Sequence, residues 1–149
     1  MIFEYIFNFG NVFVLPFWLL MVIVPNWGIT RRVMNSMIPF AVLAGLYIYC
    51  FIGSLDPDKL ESFANPTLTV LAELFADKPV MATGWVHFLV MDLFVGRWIY
   101  QQGQEKSLWT RHSLALCLFA GPMGLLSHIV TAWIQPRFQS ATEPSVDAA

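Results

Sequence analysis

Charge is what this sequence has least of: only 12% of its 149 residues are Asp, Glu, Lys or Arg, against about 25% in a soluble domain. That scarcity rules out an ordinary water-facing surface. With 57% hydrophobic residues and a mean hydropathy of +0.61, it points to an integral protein of a lipid bilayer. A net charge of −2 offers nothing to nucleic acid. Histidine numbers three and cysteine two, too few ligands for the two-metal centres of membrane hydroxylases and desaturases, so no metal site is expected. Neither a phosphate loop nor a nucleophile elbow is present. Cys50 and Cys117 fall near opposite ends of their segments, about 18 Å apart in depth, and read as packing residues and not as a disulfide.

What the chain does have is apolar length. A bilayer core of roughly 30 Å needs about 20 apolar residues as helix. Four stretches meet that length, 6–24, 34–55, 80–100 and 114–134. The sequence therefore predicts an all-α single membrane domain of four transmembrane helices. The first stretch has no basic n-region and no small-residue cleavage site, and is read as a retained span. Between the second and third lies a polar segment in which Asn65 is placed to cap and Pro66 to open a short interfacial helix, 66–76. Its Leu68, Leu71, Leu74 and Phe75 recur on one side. The tail, 139–149, reads as polar and mobile. If the four helices alternate, Arg31, Arg32, Arg97, Lys106 and Arg111 share one side, and Lys59, Lys78 and Arg137 share the side of both termini. The positive-inside rule then puts both termini on the non-cytoplasmic side of a plasma or thylakoid-type membrane.

Three polar residues interrupt the third span: His87, Asp92 and Arg97, spaced five apart. Near the end of the span, Arg97 is read as a membrane-interface cation that snorkels into the headgroups. Asp92, near the middle, is too short to reach either interface and calls for a partner, a water-filled cavity or a bound proton. On an antiparallel fourth span, His128 would lie level with His87, and Pro122 level with Asp92. Proline there removes a helical hydrogen bond while Gly121 and Gly124 open a notch. At 100° per residue, His87 and Asp92 diverge by about 140°, so they do not aim at a single atom from a regular helix, although they can flank a wide cavity. Two facing histidines are also the ligand set of a haem, and His87 with His128 would be its axial pair. Apart from that haem, no cofactor is expected. Helix packing is the plain alternative for the glycine stripe and for Asp92.

The run GWVHFLVMDLFVGRWIYQQG, with GPMGLLSHIVTAWI after it, resembles the abscisic acid-deficient, neoxanthin-deficient family of small membrane proteins, and the resemblance covers essentially the whole chain. It implies a role in carotenoid metabolism: family members in plants and algae belong to plastid membranes and are needed to form neoxanthin from violaxanthin. With no transit peptide at its start, the chain fits a bacterial relative or a mature form. The implied chemistry is redox-neutral, an epoxide end group becoming an allenic alcohol. An acid meets the epoxide oxygen, and a base removes a proton from the neighbouring polyene carbon. On that resemblance Asp92 is the candidate acid, and His87 or His128 the base. Trp85, Phe88, Phe94, Trp98 and Phe119, with Gly121 and Gly124, are candidate walls for a C40 carotenoid. Two other roles stay open: an accessory factor for that step, or a carotenoid- or haem-holding subunit of a larger membrane complex, with a membrane partner or a second copy.

Overall fold

A computed structural model of the chain describes residues 1–57, 62 and 64–140. All regular structure among them is helical: α1 Ile2–Ile23, α2 Gly28–Asn35, α3 Ile38–Ser54, α4 Leu68–Phe75, α5 Lys78–Lys106, α6 Arg111–Phe119 and α7 Gly121–Ser140. The central helix is α5, 29 residues long, with α1, α3, α6 and α7 packed around it. Trp18 and Met21 of α1, Leu43 of α3, Leu93 and Ile99 of α5 and Leu114 of α6 close the core between them.

Three side-chain contacts hold α1 along α5. Lys78 pairs with Glu4 at one end at 2.9 Å, Trp85 Nε1 donates to Asn11 Oδ1 at 2.9 Å, and the Tyr100 hydroxyl donates to the Pro25 carbonyl at the other end, also at 2.9 Å. Asn11 escaped the sequence reading because one amide in an apolar run leaves the hydropathy pattern intact. The indole it accepts from explains its presence, since a polar group buried without a partner is costly.

The expectation of four continuous spans holds only in part. By length and composition α1 and α5 can cross a membrane, and a third crossing forms if α2 and α3, bent by 43° where they meet, act as one broken span. The bend follows from Pro39, which starts α3 in its first turn, where a missing N–H costs no hydrogen bond.

The fourth stretch, 114–134, is two helices that fold back on each other. Helix α6 ends at Phe119, and Ala120 is extended, with φ −158° and ψ 103°. Helix α7 then starts at Gly121 with Pro122 in its first turn. The Ala120 carbonyl accepts the N–H groups of Met123 and Gly124. Placing the proline at a new helix start avoids the broken bond it would impose in a helix interior.

The pairing along the two helices is antiparallel. Ser113 Oγ meets Ser127 Oγ at 3.0 Å and His112 Nε2 meets Thr131 Oγ1 at 2.8 Å. At the open end, Gln135 accepts the Trp109 N–H at 2.8 Å and donates to the Ser107 carbonyl at 3.2 Å. Since Cys117 Sγ donates to the Asp92 carbonyl, the closed end lies halfway along α5. The pair is a helical hairpin whose closed end reaches the middle of α5 and whose open end returns to the Ser107 end.

The hairpin replaces the continuous fourth helix that the sequence suggested. The outer end of α7 comes back to the Ser107 end of α5, the opposite end of that helix from Lys78 and its partner Glu4. Cysteines introduced at Lys106 and Ser140 should react with an impermeant maleimide from one face of the membrane, and a cysteine at Thr67 from the other. Equal labelling of Thr67→Cys and Ser140→Cys from one face would restore the four-span arrangement.

Helix α4 is shorter than expected. Its cap is Thr67, whose hydroxyl accepts the Val70 N–H at 3.2 Å, and not Asn65 with Pro66. Helix α7 takes in the start of the expected tail, while 141–149 lie outside the described residues. Cys50 and Cys117 are buried free thiols on separate helices.

Candidate functional site

Each of the three polar residues of α5 meets a different neighbour. Arg97 does not simply snorkel. Its Nε donates to the Met34 carbonyl at the end of α2, and its guanidinium lies over the Phe40 ring at 5.6 Å. The last carbonyls of a helix have no partner within it, and Arg97 satisfies one of them. That geometry makes a conservative change costly. Arg97→Lys loses a directed Nε–H bond that a point charge does not replace, and should lower stability by about 1–2 kcal/mol. The thermal midpoint in detergent, compared with that of Arg32→Lys, measures it.

Asp92 is half-buried at the closed end of the hairpin. A Cβ added to Gly121 would fall on its carboxyl group, and the Gly121 backbone is its hydrogen-bonding neighbour. The carboxyl therefore meets the start of α7, where Pro122 has no N–H, the N–H groups of Met123 and Gly124 go to the Ala120 carbonyl, and that of Gly121 has no partner within the helix. Gly124 is needed for a related reason, since a Cβ there would overlap Cys117 on the facing helix.

His128 is 1% exposed. Its ring meets the edge of Trp98 at 5.1 Å, 11 residues beyond His87 on α5. The return of the hairpin thus moves it about 16 Å in depth from His87, where an antiparallel span would have set them level. Two imidazoles so far apart cannot take both faces of one iron, so these residues do not fit the haem reading. Among the described residues no group of three His, Cys, Asp or Glu side chains gathers to hold a metal.

His87 stands alone in being exposed. Its ring lies 5.8 Å from Tyr47 of α3, and it lines a groove of about 160 Å³ with Tyr47, Phe51, Phe75, Thr83 and Gly84. Gly84 matters here because a Cβ would meet the Phe75 ring at 2.6 Å, so a larger residue would displace that ring from the groove. The polar side chains of the groove besides His87 are Tyr47, Ser54 and Thr83. Sequence reasoning missed Tyr47, since it belongs to another span and carries no motif.

The candidate aromatic walls do not converge on one cavity. Trp85 serves α1, Phe94 meets Phe40 edge-on at 5.8 Å, Trp98 covers His128, and Phe119, at the closed end of the hairpin, is 86% exposed. Phe88, Met91, Phe94 and Trp98 do form an exposed stripe running from His87 along α5. The sequence reading also passed over His112, which with Ser113, Ser127 and Thr131 forms the polar seam of the hairpin. The signal for it, hydroxyls and an imidazole recurring on both sides of a Gly-Pro break, becomes readable only once the break is known to be a turn.

Comparison with known proteins covers most of these residues. The ABA DEFICIENT 4-like family model matches residues 5–128, from α1 to His128. Over 131 residues the chain is 39% identical to the protein ABA DEFICIENT 4, chloroplastic, of Arabidopsis thaliana, a match that takes in 85% of this chain and 60% of that protein. The chain thus spans about 60% of the length of that relative. No solved structure matches. The span of the family match, together with that identity over most of the chain, means that this protein belongs to the ABA DEFICIENT 4-like family.

Proposed function

We propose that this protein acts in carotenoid metabolism, taking the ring end of a xanthophyll epoxide into the groove beside His87 and isomerising it. The observation that carries the reading is the position of His87. Of the three candidate proton-transfer residues, it is the one open to a ligand arriving through lipid. Asp92 is engaged by the Gly121 backbone and His128 is enclosed behind Trp98.

A groove of about 160 Å³ is small against the roughly 300–1,000 Å³ that encloses a drug-sized ligand. It receives one end group of a C40 molecule and leaves the polyene outside. The exposed stripe of Met91, Phe94 and Trp98 starts beside the groove and supplies a track for that chain. The chemistry asks little more of the protein. As the C–H bond beside the epoxide breaks, its electrons form the allene and the C–O bond opens. The alkoxide takes one proton, so the proton moves from carbon to oxygen and nothing is oxidised. One imidazole suits the removal step.

A second reading, that the protein holds the carotenoid for chemistry done elsewhere, is favoured by the groove containing no carboxylate or second imidazole among the described residues. The two readings part in one experiment. Protein purified from carotenoid-producing cells is extracted for pigment, then supplied with violaxanthin in lipid vesicles. Conversion supports the enzyme, retention without conversion supports the holder, and failure to retain or convert removes both.

We further propose that the face carrying Arg31, Arg32, Arg97, Lys106 and Arg111 is the cytoplasmic or equivalent side of a plasma or thylakoid-type membrane. The hairpin adds Arg137 to this face, which strengthens the positive-inside argument.

A further inference from the structure

Among the described residues, the groove beside His87 has four polar side chains, and two are already committed. Ser54 Oγ donates to the Phe51 carbonyl at 2.8 Å, and Thr83 Oγ1 donates to the Pro79 carbonyl at 2.9 Å, so both hydroxyls are used by their own helices. Among the described residues, neither the Tyr47 hydroxyl nor the His87 imidazole has a hydrogen-bond partner. Tyr47 is also held in orientation. Its ring stacks on Phe51 at 5.9 Å with 19° between the planes, and meets His87 at 5.8 Å. A phenol in contact with two rings, half-buried in an apolar groove and lacking a partner, is a donor waiting for an acceptor that the described residues do not supply.

We propose that Tyr47 is the group that recognises the ring oxygen of the end group and gives it a proton, the part the sequence had suggested for Asp92. The proposal rests on the carotenoid reading above and makes it more specific: the ligand is a C40 chain whose end ring carries an oxygen acceptor, and a bare hydrocarbon ring is discriminated against. In the reaction, His87 takes the proton from the polyene carbon, the C–O bond opens, and the oxygen takes the Tyr47 proton. Transfer from the His87 imidazolium to the Tyr47 phenolate restores the pair, so the cycle balances without a co-reactant. Asp92 remains the residue that holds the hairpin.

The test uses full-length protein in lipid vesicles, with violaxanthin and β-carotene as probes, which share the C40 chain and differ in ring oxygen. Wild type should retain violaxanthin at least about tenfold better than β-carotene. Tyr47→Phe keeps the ring stack and removes only the donor. It should bring that ratio close to one and lower conversion about a hundredfold, while Tyr49→Phe, on an exposed position of α3, changes neither. If wild type discriminates and Tyr47→Phe discriminates and converts equally well, the role of Tyr47 is overturned and the carotenoid reading stands. If wild type retains neither pigment, the carotenoid reading itself falls, and Tyr47 with it.

Discussion

His87→Gln should cut violaxanthin conversion by about a hundredfold or more, the usual scale for losing a general base, with folded protein staying near the wild-type level. Glutamine keeps a polar side chain of similar reach but cannot take a proton. The His87 ring makes no hydrogen bond among the described residues and touches Tyr47 and Phe88 only as a ring neighbour, so little packing depends on it. The two residues once grouped with it should behave differently. Asp92→Asn retains a carbonyl oxygen for the Gly121 backbone and should leave both fold and conversion close to normal. His128→Gln removes a buried ring from behind Trp98, and should reduce the amount of folded protein more than the turnover of what remains. Pigment composition in cells lacking the native protein and complemented with each variant, read beside membrane protein abundance, separates these effects. Normal conversion by His87→Gln at normal abundance would remove the imidazole from proton transfer and leave the holder reading ahead. An Asp92→Asn protein that folds but does not convert would return the acid to the reaction.

The second large effect is structural. Gly121→Val should destabilise the protein by about 3 kcal/mol, through overpacking and loss of the contact between Asp92 and the hairpin. There is no room for a side chain, because the first added carbon already falls on the Asp92 carboxyl. Asp92 cannot move far, being fixed in the middle of a 29-residue helix. Pro122→Ala should cost under about 1 kcal/mol, since a proline in the first turn of a helix only presets a dihedral angle. A continuous span predicts the reverse order: there the proline interrupts the helix and its removal stabilises, while valine in place of glycine adds apolar surface facing lipid or a loose notch. Thermal midpoints of the two variants in one detergent decide between the geometries, and a Gly121→Val protein as stable as wild type would rule out the hairpin as drawn.

Membrane residence, helical class and the positions of the apolar runs could be read from the sequence, because all three follow from how many consecutive residues avoid charge. The divergence of His87 and Asp92 by about 140° could also be read, since both belong to one regular helix and its pitch alone sets the angle. That Asp92 needs a partner followed from the cost of an unpartnered carboxyl in hydrocarbon. Which partner it has did not, because a backbone N–H belongs to every residue and marks none. The direction of the chain after Ala120 was hidden for a similar reason: hydropathy measures the length of a run and carries no sign for its heading, and Gly-Pro suits a kink as well as a turn. Only the pairing of Ser113 with Ser127 and of Trp109 with Gln135 decides for the turn. From that one decision follow the position of His128 along α5, the separation of the two histidines and the end of α5 to which the outer end of α7 returns. The meeting of Tyr47 with His87 was likewise settled only in three dimensions, because contacts between two helices depend on rotation and register, which neither sequence specifies alone.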